Sequence, residues 1–264
     1  MATKRSAIEA SAETTGEAKR YRSAIDRMAD EWICPIAQEL SVDPVMAEDG
    51  QFYERSAIKK SFKTTDGAEV KSPVTNLPMA RTLKTGHQVC NTIKLMVETG
   101  AISGAKANLW KKRIEQEAMV TRTRQLCKDG DRVAMWDLGV MYKNGTNGLA
   151  KDHTQAFAWM KQAADLDDPL ALCCLGQMYC DGYAVQSNSS RGVLCLWQAA
   201  ALGVNHTCHL LGRLYSLGKH GFDTDATTAT YWYKKMSKCT QKHSGETCQE
   251  HAAEWLRTHP VAVD

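Results

Sequence analysis

The sequence predicts two parts of different fold class: a small α+β module over residues 31–100 and an all-α solenoid of helical hairpins over residues 131–239. An Asp-Gly pair at residues 49–50, between two short strand-like segments, indicates the first part. A motif that occurs three times at a nearly constant interval indicates the second. The 264 residues are enough for two domains with substantial cores.

A hairpin followed by a short helix forms the centre of the first part. The type I′ preference of Asp-Gly predicts a tight turn between strands near residues 45–47 and 51–53. Residues 55–62 can be helical, with Ile58 and Phe62 four positions apart on one face. This helix therefore gives the hairpin an apolar cover.

Loops that combine proline with apolar residues flank the hairpin, at residues 33–36 and 73–77. Residues 64–68 form a turn-rich insertion before the second loop. A closing helix begins near His87, since its apolar residues recur every four positions, and Gly100 supplies its C-terminal stop.

Metal ligands are scarce in the first part. A structural zinc site takes four Cys or His ligands, and the only cysteines within residues 1–100 are Cys34 and Cys90. We therefore exclude zinc here and assign Cys34 to the core. Buried polar contacts are expected to replace the metal, and their pairing is left open. The charged residues available for them are Glu39, Asp43, Glu54 and Arg55.

The order of loop, hairpin, helix and loop resembles the U-box of ubiquitin ligases, a RING-shaped domain without metal. The motifs are Trp-Ile-Cys-Pro-Ile at 32–36, Asp-Pro-Val at 43–45, Tyr-Glu-Arg-Ser-Ala-Ile at 53–58 and Ser-Pro-Val-Thr at 72–75. The resemblance implies a domain that docks a ubiquitin-conjugating enzyme carrying ubiquitin as a thioester. Transfer to a substrate lysine would be accelerated by orientation, with no catalytic residue and no cofactor on this chain.

The resemblance also implies a docking surface for the conjugating enzyme on the two loops and the first helix. By motif match its residues are Ile36, Gln38, Ser61, Pro73, Thr75 and Leu77. Taken alone, Ile36 is also compatible with a core position.

Active members of the family usually have Arg or Lys after Pro-Val-Thr, where this chain has Asn76. Ser61 replaces an aromatic residue, and Thr85-Gly86 replaces the usual Pro-Asn. An alternative is therefore a weak or inactive scaffold that binds partners through its repeats.

From residue 131 the chain repeats itself. A Leu-Gly pair followed by Tyr and Gly occurs at Leu138, returns after 37 residues at Leu175, and returns after 36 more at Leu211. Small residues let helices approach closely, while Leu, Tyr and Trp fill the space between them. The copies resemble Sel-one-like (SLR) repeats, relatives of the tetratricopeptide repeat. This resemblance implies a curved α-solenoid that selects a protein substrate or adaptor.

The remaining segments extend, connect and cap these parts. We predict an N-terminal solvated or helical extension at 1–30, a hinge and connecting helix at 101–130, and a C-terminal capping helix and tail at 240–264. The connecting helix could dimerise, but its interrupted apolar stripe favours packing on the next domain. Its main apolar residues are Leu109, Ile114, Ala118 and Leu126.

Composition and charge limit the kinds of partner and the cellular compartments that we expect for this protein. With 33 basic and 30 acidic residues the net charge is +3, so we expect no nucleic-acid partner. No run approaches the roughly 18 apolar residues of a membrane span, and charged residues stand where a secretory signal would be apolar. We therefore expect a cytoplasmic protein with reduced cysteines. A split basic pattern around Lys4 and Lys19 is also compatible with a nuclear location.

Cysteine and histidine spacings in the second part admit a metal. The residues concerned are Cys173, Cys174, Cys180, His206, Cys208 and His209. Positions inside packed helices explain them better, so we predict no metal. An enzyme that uses these residues for catalysis has no catalytic spacing to support it.

Overall fold

A computed structural model describes residues 20–21, 23–64, 70–237 and 246–259. The chain divides into two compact units, Met1–Gln116 and Glu117–Asp264. A small α+β unit is followed by a unit of helical hairpins, so the predicted fold class is confirmed. Most of the predicted N-terminal extension, the 64–68 insertion after Thr64 and the C-terminal tail lie outside the described residues, as do Lys4 and Lys19.

The first unit is built around a three-stranded antiparallel sheet with the order β2-β1-β3. Val45 pairs with Tyr53 in β2 and with Thr85 in β3. The elements are α1 (residues 23–31), β1 (Pro44–Met46), β2 (Phe52–Glu54), α2 (Arg55–Thr64), β3 (Lys84–Thr85) and α3 (His87–Glu98). The predicted strands and helices are thus present, and both hairpin strands lie within one residue of their predicted positions.

The hairpin turn differs from the prediction. Gly50 N donates to Ala47 O and Ala47 N donates to Gln51 O, both at 3.1 Å, so the loop holds residues 48–50. Gly50 has a φ of 77°, but Asp49 is not among the described residues with positive φ. A type I′ turn needs positive φ at both positions, so this prediction is wrong. The reason is the Asp49 side chain, whose Oδ1 accepts from Gln51 N at 3.1 Å and stabilises the longer loop.

Two clusters of buried side chains hold the first unit together. One cluster packs the hairpin against α2 and includes Cys34, Tyr53 and Ile58, all with no exposed surface. The other includes Ile93 of α3 and Trp110 of the helix that follows. The predicted core position of Cys34 and the predicted apolar face of α2 are confirmed. Each large side chain buried in this way contributes about 1.5–3 kcal/mol.

The connecting helix, α4 (Gly104–Lys128), buries a different face from the one predicted. Leu109 and Leu126 are 41% and 38% exposed, whereas Ile114 is partly buried. Trp110 is buried in the first unit and Cys127 in the second. The two halves of α4 belong to different units, so no single apolar stripe runs along the helix.

In the second unit, as far as the structure describes it, the C-terminal half of α4 is followed by three helical hairpins and a last helix. The hairpins are α5 (Arg132–Asn144) with α6 (His153–Asp165), α7 (Pro169–Asp181) with α8 (Ser189–Ala201), and α9 (Asn205–Leu217) with α10 (Ala226–Ser237). The last helix is α11 (Glu246–Thr258). Its buried Ala252 and partly buried Trp255 join the core of the second unit. Among the described helices, none has the length and apolar character needed to cross a membrane.

The second helix of each hairpin begins in the same way. The first helix ends at a glycine with positive φ, and the tyrosine of the repeated motif then accepts a hydrogen bond from the residue that precedes the second helix. The donor and acceptor pairs are Asp152 to Tyr142 at 2.9 Å, Asn188 to Tyr179 at 2.8 Å and Asp225 to Tyr215 at 2.9 Å. The repeated tyrosine therefore fixes the turn through its backbone as well as through its ring.

Close packing inside the hairpins depends on the glycine of the repeated Leu-Gly pair. A Cβ atom added at Gly139 would lie 2.9 Å from Met160 Cγ. One added at Gly212 would lie 2.5 Å from Tyr233 Cε1. Real Cβ atoms do not come so close, so the predicted role of small residues in helix approach is confirmed for these two positions.

Candidate functional site

Two loops of the first unit, residues 33–40 and 71–78, have the same construction. We call them the first loop and the second loop. An isolated β-bridge closes each one, between Ile33 and Leu40 and between Lys71 and Pro78. The two loops are therefore equally long, and each is closed at its base by one bridged pair of residues.

Backbone hydrogen bonds correspond between the two loops. Gln38 N donates to Cys34 O at 2.8 Å, and Asn76 N donates to Ser72 O at 2.9 Å. Gln38 and Asn76 both have a φ of 57°, a left-handed conformation that most residues avoid. The loops can therefore be aligned residue by residue.

This alignment places apolar side chains at the surface of both loops. Ile36 is 37% exposed, and its counterpart Val74 is 49% exposed. Leu77 is 65% exposed, and Pro73 is also exposed. The core alternative for Ile36 is excluded. Sequence reasoning missed Val74, although the Pro-Ile and Pro-Val pairs at the same position of the two loops could have revealed it.

The other predicted site residues lie on the same segments. Gln38 and Thr75 are exposed, and Ser61 of α2 is half-buried. Gln38 Nε2 donates to Pro35 O at 2.6 Å. The exposed Asn76 side chain has no hydrogen-bond partner among the described residues.

Both loops are anchored in one buried cluster. This cluster contains Cys34 of the first loop, Met79 next to the second loop and Phe62 of α2. The two loops and α2, which carry all the predicted docking residues, are therefore held on a common core.

Asp49 ties the hairpin turn to the second loop. Its Oδ2 accepts hydrogen bonds from Ser72 Oγ at 2.5 Å and from Tyr53 Oη at 2.7 Å. Ser72 Oγ in turn accepts from the backbone N–H groups of Val74 and Thr75, at 3.1 and 3.0 Å. This network fixes the start of the second loop.

Protonation of Asp49 and Tyr53 is set by this network. Burial opposes ionisation of Asp49, but the hydrogen bonds from Ser72, Tyr53 and Gln51 outweigh it and hold the pKa of the carboxyl below its usual value. Burial and the bond to Asp49 raise the pKa of Tyr53 to about 12. Asp49 is thus a charged acceptor and Tyr53 a neutral donor at neutral pH.

Arg113 of α4 anchors the C-terminal end of the first loop. Its Nη1 donates to Glu39 Oε2 at 3.2 Å and to Leu40 O at 3.1 Å. Its Nη2 lies 3.1 Å from Glu54 Oε2, which also accepts from Val42 N at 2.8 Å. The Glu54 side chain is only 4% exposed, so Arg113 supplies the charge that this carboxylate needs. Sequence reasoning missed Arg113.

The other predicted charges form a second pair. Arg55 Nε donates to Asp43 Oδ2 at 2.6 Å, and Arg55 Nη2 donates to Thr85 Oγ1 at 3.0 Å. These bonds join the first residue of α2 to β3 and to the segment before β1. The four candidate charges are therefore all used in polar contacts within the first unit.

Two thiols of the second unit, those of Cys173 and Cys180, are poorly suited to covalent catalysis. Burial raises the pKa of Cys173 to about 11, and burial with Asp181 raises that of Cys180 to about 11. A nucleophilic cysteine needs a lowered pKa. Cys173, Cys180 and Cys208 are buried in the repeat core, which supports their predicted packing role.

Comparison with known families identifies both parts of the chain. The U-box domain family matches residues 28–95, the segment that carries both loops. The Sel1 repeat family matches residues 132–168, 169–204 and 206–240. The chain thus contains a U-box domain followed by three Sel1 repeats, as the motifs predicted.

Curated relatives are similar to this chain over single segments. "WD repeat, SAM and U-box domain-containing protein 1" of Danio rerio is 43% identical over 68 residues, which are 26% of this chain and 13% of that protein. "ERAD-associated E3 ubiquitin-protein ligase component HRD3A" of Arabidopsis thaliana is 32% identical over 77 residues, 29% of this chain and 11% of that protein. "U-box domain-containing protein 12" of Oryza sativa subsp. japonica is 39% identical over 74 residues, 28% of this chain and 11% of that protein. The matches thus span a small part of each relative.

Two solved structures are also similar to this chain. A Sel1 repeat protein from Oxalobacter formigenes has 27% identity and a TM-score of 0.43, covering 51% of this chain and 97% of that one. The protective antigen c5321 of uropathogenic Escherichia coli, which displays an SLR fold, has 22% identity and a TM-score of 0.46, covering 64% of this chain and 37% of that one.

Proposed function

We propose that this protein is a ubiquitin-protein ligase that docks a ubiquitin-loaded conjugating enzyme on its U-box. The observation that carries the proposal is the pair of equivalent loops, each with an exposed apolar residue, Ile36 or Val74, and both held on one core. A U-box match over residues 28–95 and relatives named as U-box or ubiquitin-ligase proteins support it.

In the proposed reaction the U-box contributes orientation. The amine of a substrate lysine attacks the thioester carbonyl of ubiquitin on the conjugating enzyme. A C–N bond forms and the C–S bond breaks. The enzyme's sulfur leaves as a thiolate and takes up the proton that the amine loses. Holding donor and acceptor in a reactive geometry supplies the rate increase, so no nucleophile is needed on this chain.

The proposed docking surface combines apolar and polar contacts. Ile36, Pro73 and Leu77 supply apolar area that is exposed in the free chain. Gln38, Ser61 and Thr75 lie alongside and supply hydrogen-bonding groups. Because Asp49 and Arg113 already fix the loops, little conformational entropy is lost on docking.

A second candidate function is an adaptor that binds partners but transfers no ubiquitin. Asn76 is the observation that favours it, because the position expected to hold Arg or Lys carries a short uncharged side chain. An amide can donate to carbonyl groups of a docked enzyme and ubiquitin, but with less reach and without charge assistance.

The repeats are proposed to select the protein substrate or adaptor. The second unit exposes aromatic side chains on neighbouring helices, Trp197 of α8 and Tyr231 of α10, which are 45% and 55% exposed. Both rings contact buried Trp232, at centroid distances of 4.8 and 5.1 Å. Rigid exposed aromatic residues of this kind are typical anchors of protein interfaces.

The test is self-ubiquitylation of the purified full chain with a panel of conjugating enzymes. We expect ubiquitin chains with wild-type protein and their loss with Ile36→Ala. Val133→Ala removes an apolar side chain that is 53% exposed from the second unit and should leave activity unchanged. Activity that appears only after Asn76→Arg favours the adaptor, and the absence of activity in every form contradicts the ligase proposal.

A further inference from the structure

Helices α9 and α11 bring three potential metal ligands together. They are His206 and His209 of α9 and Cys248 of α11. Their ligand atoms all lie within 4.8 Å of one another. This cluster lies in the second unit and takes no part in the proposed ubiquitin transfer.

The spacing on each helix produces this convergence. His206 and His209 are three residues apart, so they share one face of α9. Cys248 and His251 have the same spacing on α11 and share one face there. The rings of His209 and His251 are 5.5 Å apart and perpendicular, and those of His206 and His209 are 6.2 Å apart. Two ligand pairs on adjacent helices therefore face each other.

His209 supplies an independent indication of a ligand. It is 7% exposed, and its Nδ1 has no hydrogen-bond partner among the described residues. An unsatisfied buried polar atom costs about 1–3 kcal/mol. A cleft of about 540 Å³ adjoins the cluster and is lined by His206, His209, Cys248 and His251.

We propose that His206, His209 and Cys248 form a zinc site that fastens α11 to α9. Two imidazole nitrogens and one thiolate form a donor set that suits Zn²⁺. Harder cations select oxygen ligands instead. His251 or a water molecule from the cleft would supply the fourth ligand. The proposal departs from the sequence-based prediction of no metal, because Cys248 lies on a helix distant in sequence from these two histidines.

Charge balance at the site is compatible with a divalent ion. On binding, the Cys248 thiol releases its proton to solvent and a Zn–S bond forms, so no oxidant is involved. Arg213 lines the same cleft and opposes a cation, but its side chain is exposed and water screens it. The negative charge of the Cys248 thiolate offsets part of the positive charge of the ion.

A metal here would act as a structural clamp on the last helix. Terminal helices of a repeat array have only one packed neighbour layer and need additional stabilisation. Ala252 and Trp255 already bury part of α11 in the core. Zinc that binds the folded chain more tightly than the unfolded one would add to this stability by mass action.

The test is titration of the metal-free full chain with Co²⁺, followed by displacement with Zn²⁺. We expect one cobalt per chain with a thiolate-to-cobalt charge-transfer band. Cys248→Ser should abolish the band. Cys195→Ser, which alters another half-buried thiol of the second unit, should retain it. Zn²⁺ should also raise the melting temperature of the second unit in the wild-type chain and in Cys195→Ser, but not in Cys248→Ser.

A second variant guards against loss of fold as the explanation. His206 is exposed, so His206→Asn should keep the circular dichroism of the wild type and weaken cobalt binding by about tenfold or more. Absence of a charge-transfer band in the wild type, a band that survives Cys248→Ser, or unchanged affinity in His206→Asn would each overturn the site.

Discussion

Gln38 and Asn76 occupy the same position in the two equivalent loops of the U-box. Both have a φ of 57°, and the backbone N–H of each closes its loop on the residue four positions earlier. Asn tolerates this left-handed conformation better than Arg or Lys. Asn76 therefore fits the backbone geometry of the second loop. A cationic side chain at this position would instead favour ubiquitin transfer.

Asn76→Arg is predicted to raise the rate of ubiquitin transfer and to lower the stability of the second loop. A long cationic side chain can reach carbonyl groups of the docked enzyme and ubiquitin, but a left-handed conformation costs it about 1–2 kcal/mol. Rates are measured in the self-ubiquitylation assay, and stability by hydrogen exchange at Asn76 and Leu77. Gln38→Arg, which has the same φ, controls for the backbone cost. An unchanged rate would show that position 76 does not limit activity.

Arg113→Met is predicted to destabilise the first unit by about 3 kcal/mol. The substitution keeps the aliphatic packing but leaves the buried Glu54 carboxylate without its cation. Hydrogen exchange of the β1 and β2 amides measures the change. Lys106→Met is the control, because the Lys106–Asp30 pair is more than half exposed and should cost no more than about 1 kcal/mol. Equal effects of the two substitutions would contradict the role of Arg113.

Asp49→Asn is predicted to weaken the dependence of first-unit stability on acid. The folded chain lowers the pKa of Asp49, so its contribution is present above the unfolded value of about 3.9 and is lost as pH falls through the folded value. The wild type should therefore lose more stability than the variant when pH falls from about 5 to 2. Exposed Asp223→Asn should behave as the wild type. If stability falls with pH equally in Asp49→Asn and in the wild type, the network does not contribute to stability through the charge of Asp49.

Gly212→Ala is predicted to destabilise the third hairpin by about 1–3 kcal/mol. The new methyl group would overlap the ring of Tyr233, which has no exposed surface. Gly139→Ala should cost less, because its nearest contact is the flexible Met160 side chain. Thermal unfolding of both variants measures the difference. The reverse order would show that packing of Tyr233 is not the limiting contact.

The elements of this protein were predictable where their signals are local or periodic. Asp49-Gly50 marks the hairpin, Ile58 and Phe62 mark the face of α2, and the repeated Leu-Gly pair marks each hairpin of the second unit. The turn type was not predictable from Asp-Gly alone, because the Asp49 side chain binds Gln51 and Tyr53 and changes the loop.

Long-range pairs account for the rest of what sequence reasoning missed. Arg113 lies in α4 and Glu54 in β2, and nothing in the local pattern of either segment indicates their contact. The buried face of α4 depends on which unit each half packs into. Cys248 likewise joins His206 and His209 only through the packing of α11 on α9.

The docking role of Ile36 is tested most directly by single-turnover discharge of ubiquitin from a purified conjugating-enzyme thioester to free lysine. We predict that the full chain accelerates discharge, and that Ile36→Ala reduces the rate to that of the conjugating enzyme alone while the circular dichroism of the repeats is unchanged. Discharge by Ile36→Ala as fast as by the wild type would contradict the assignment of the two loops as the docking surface.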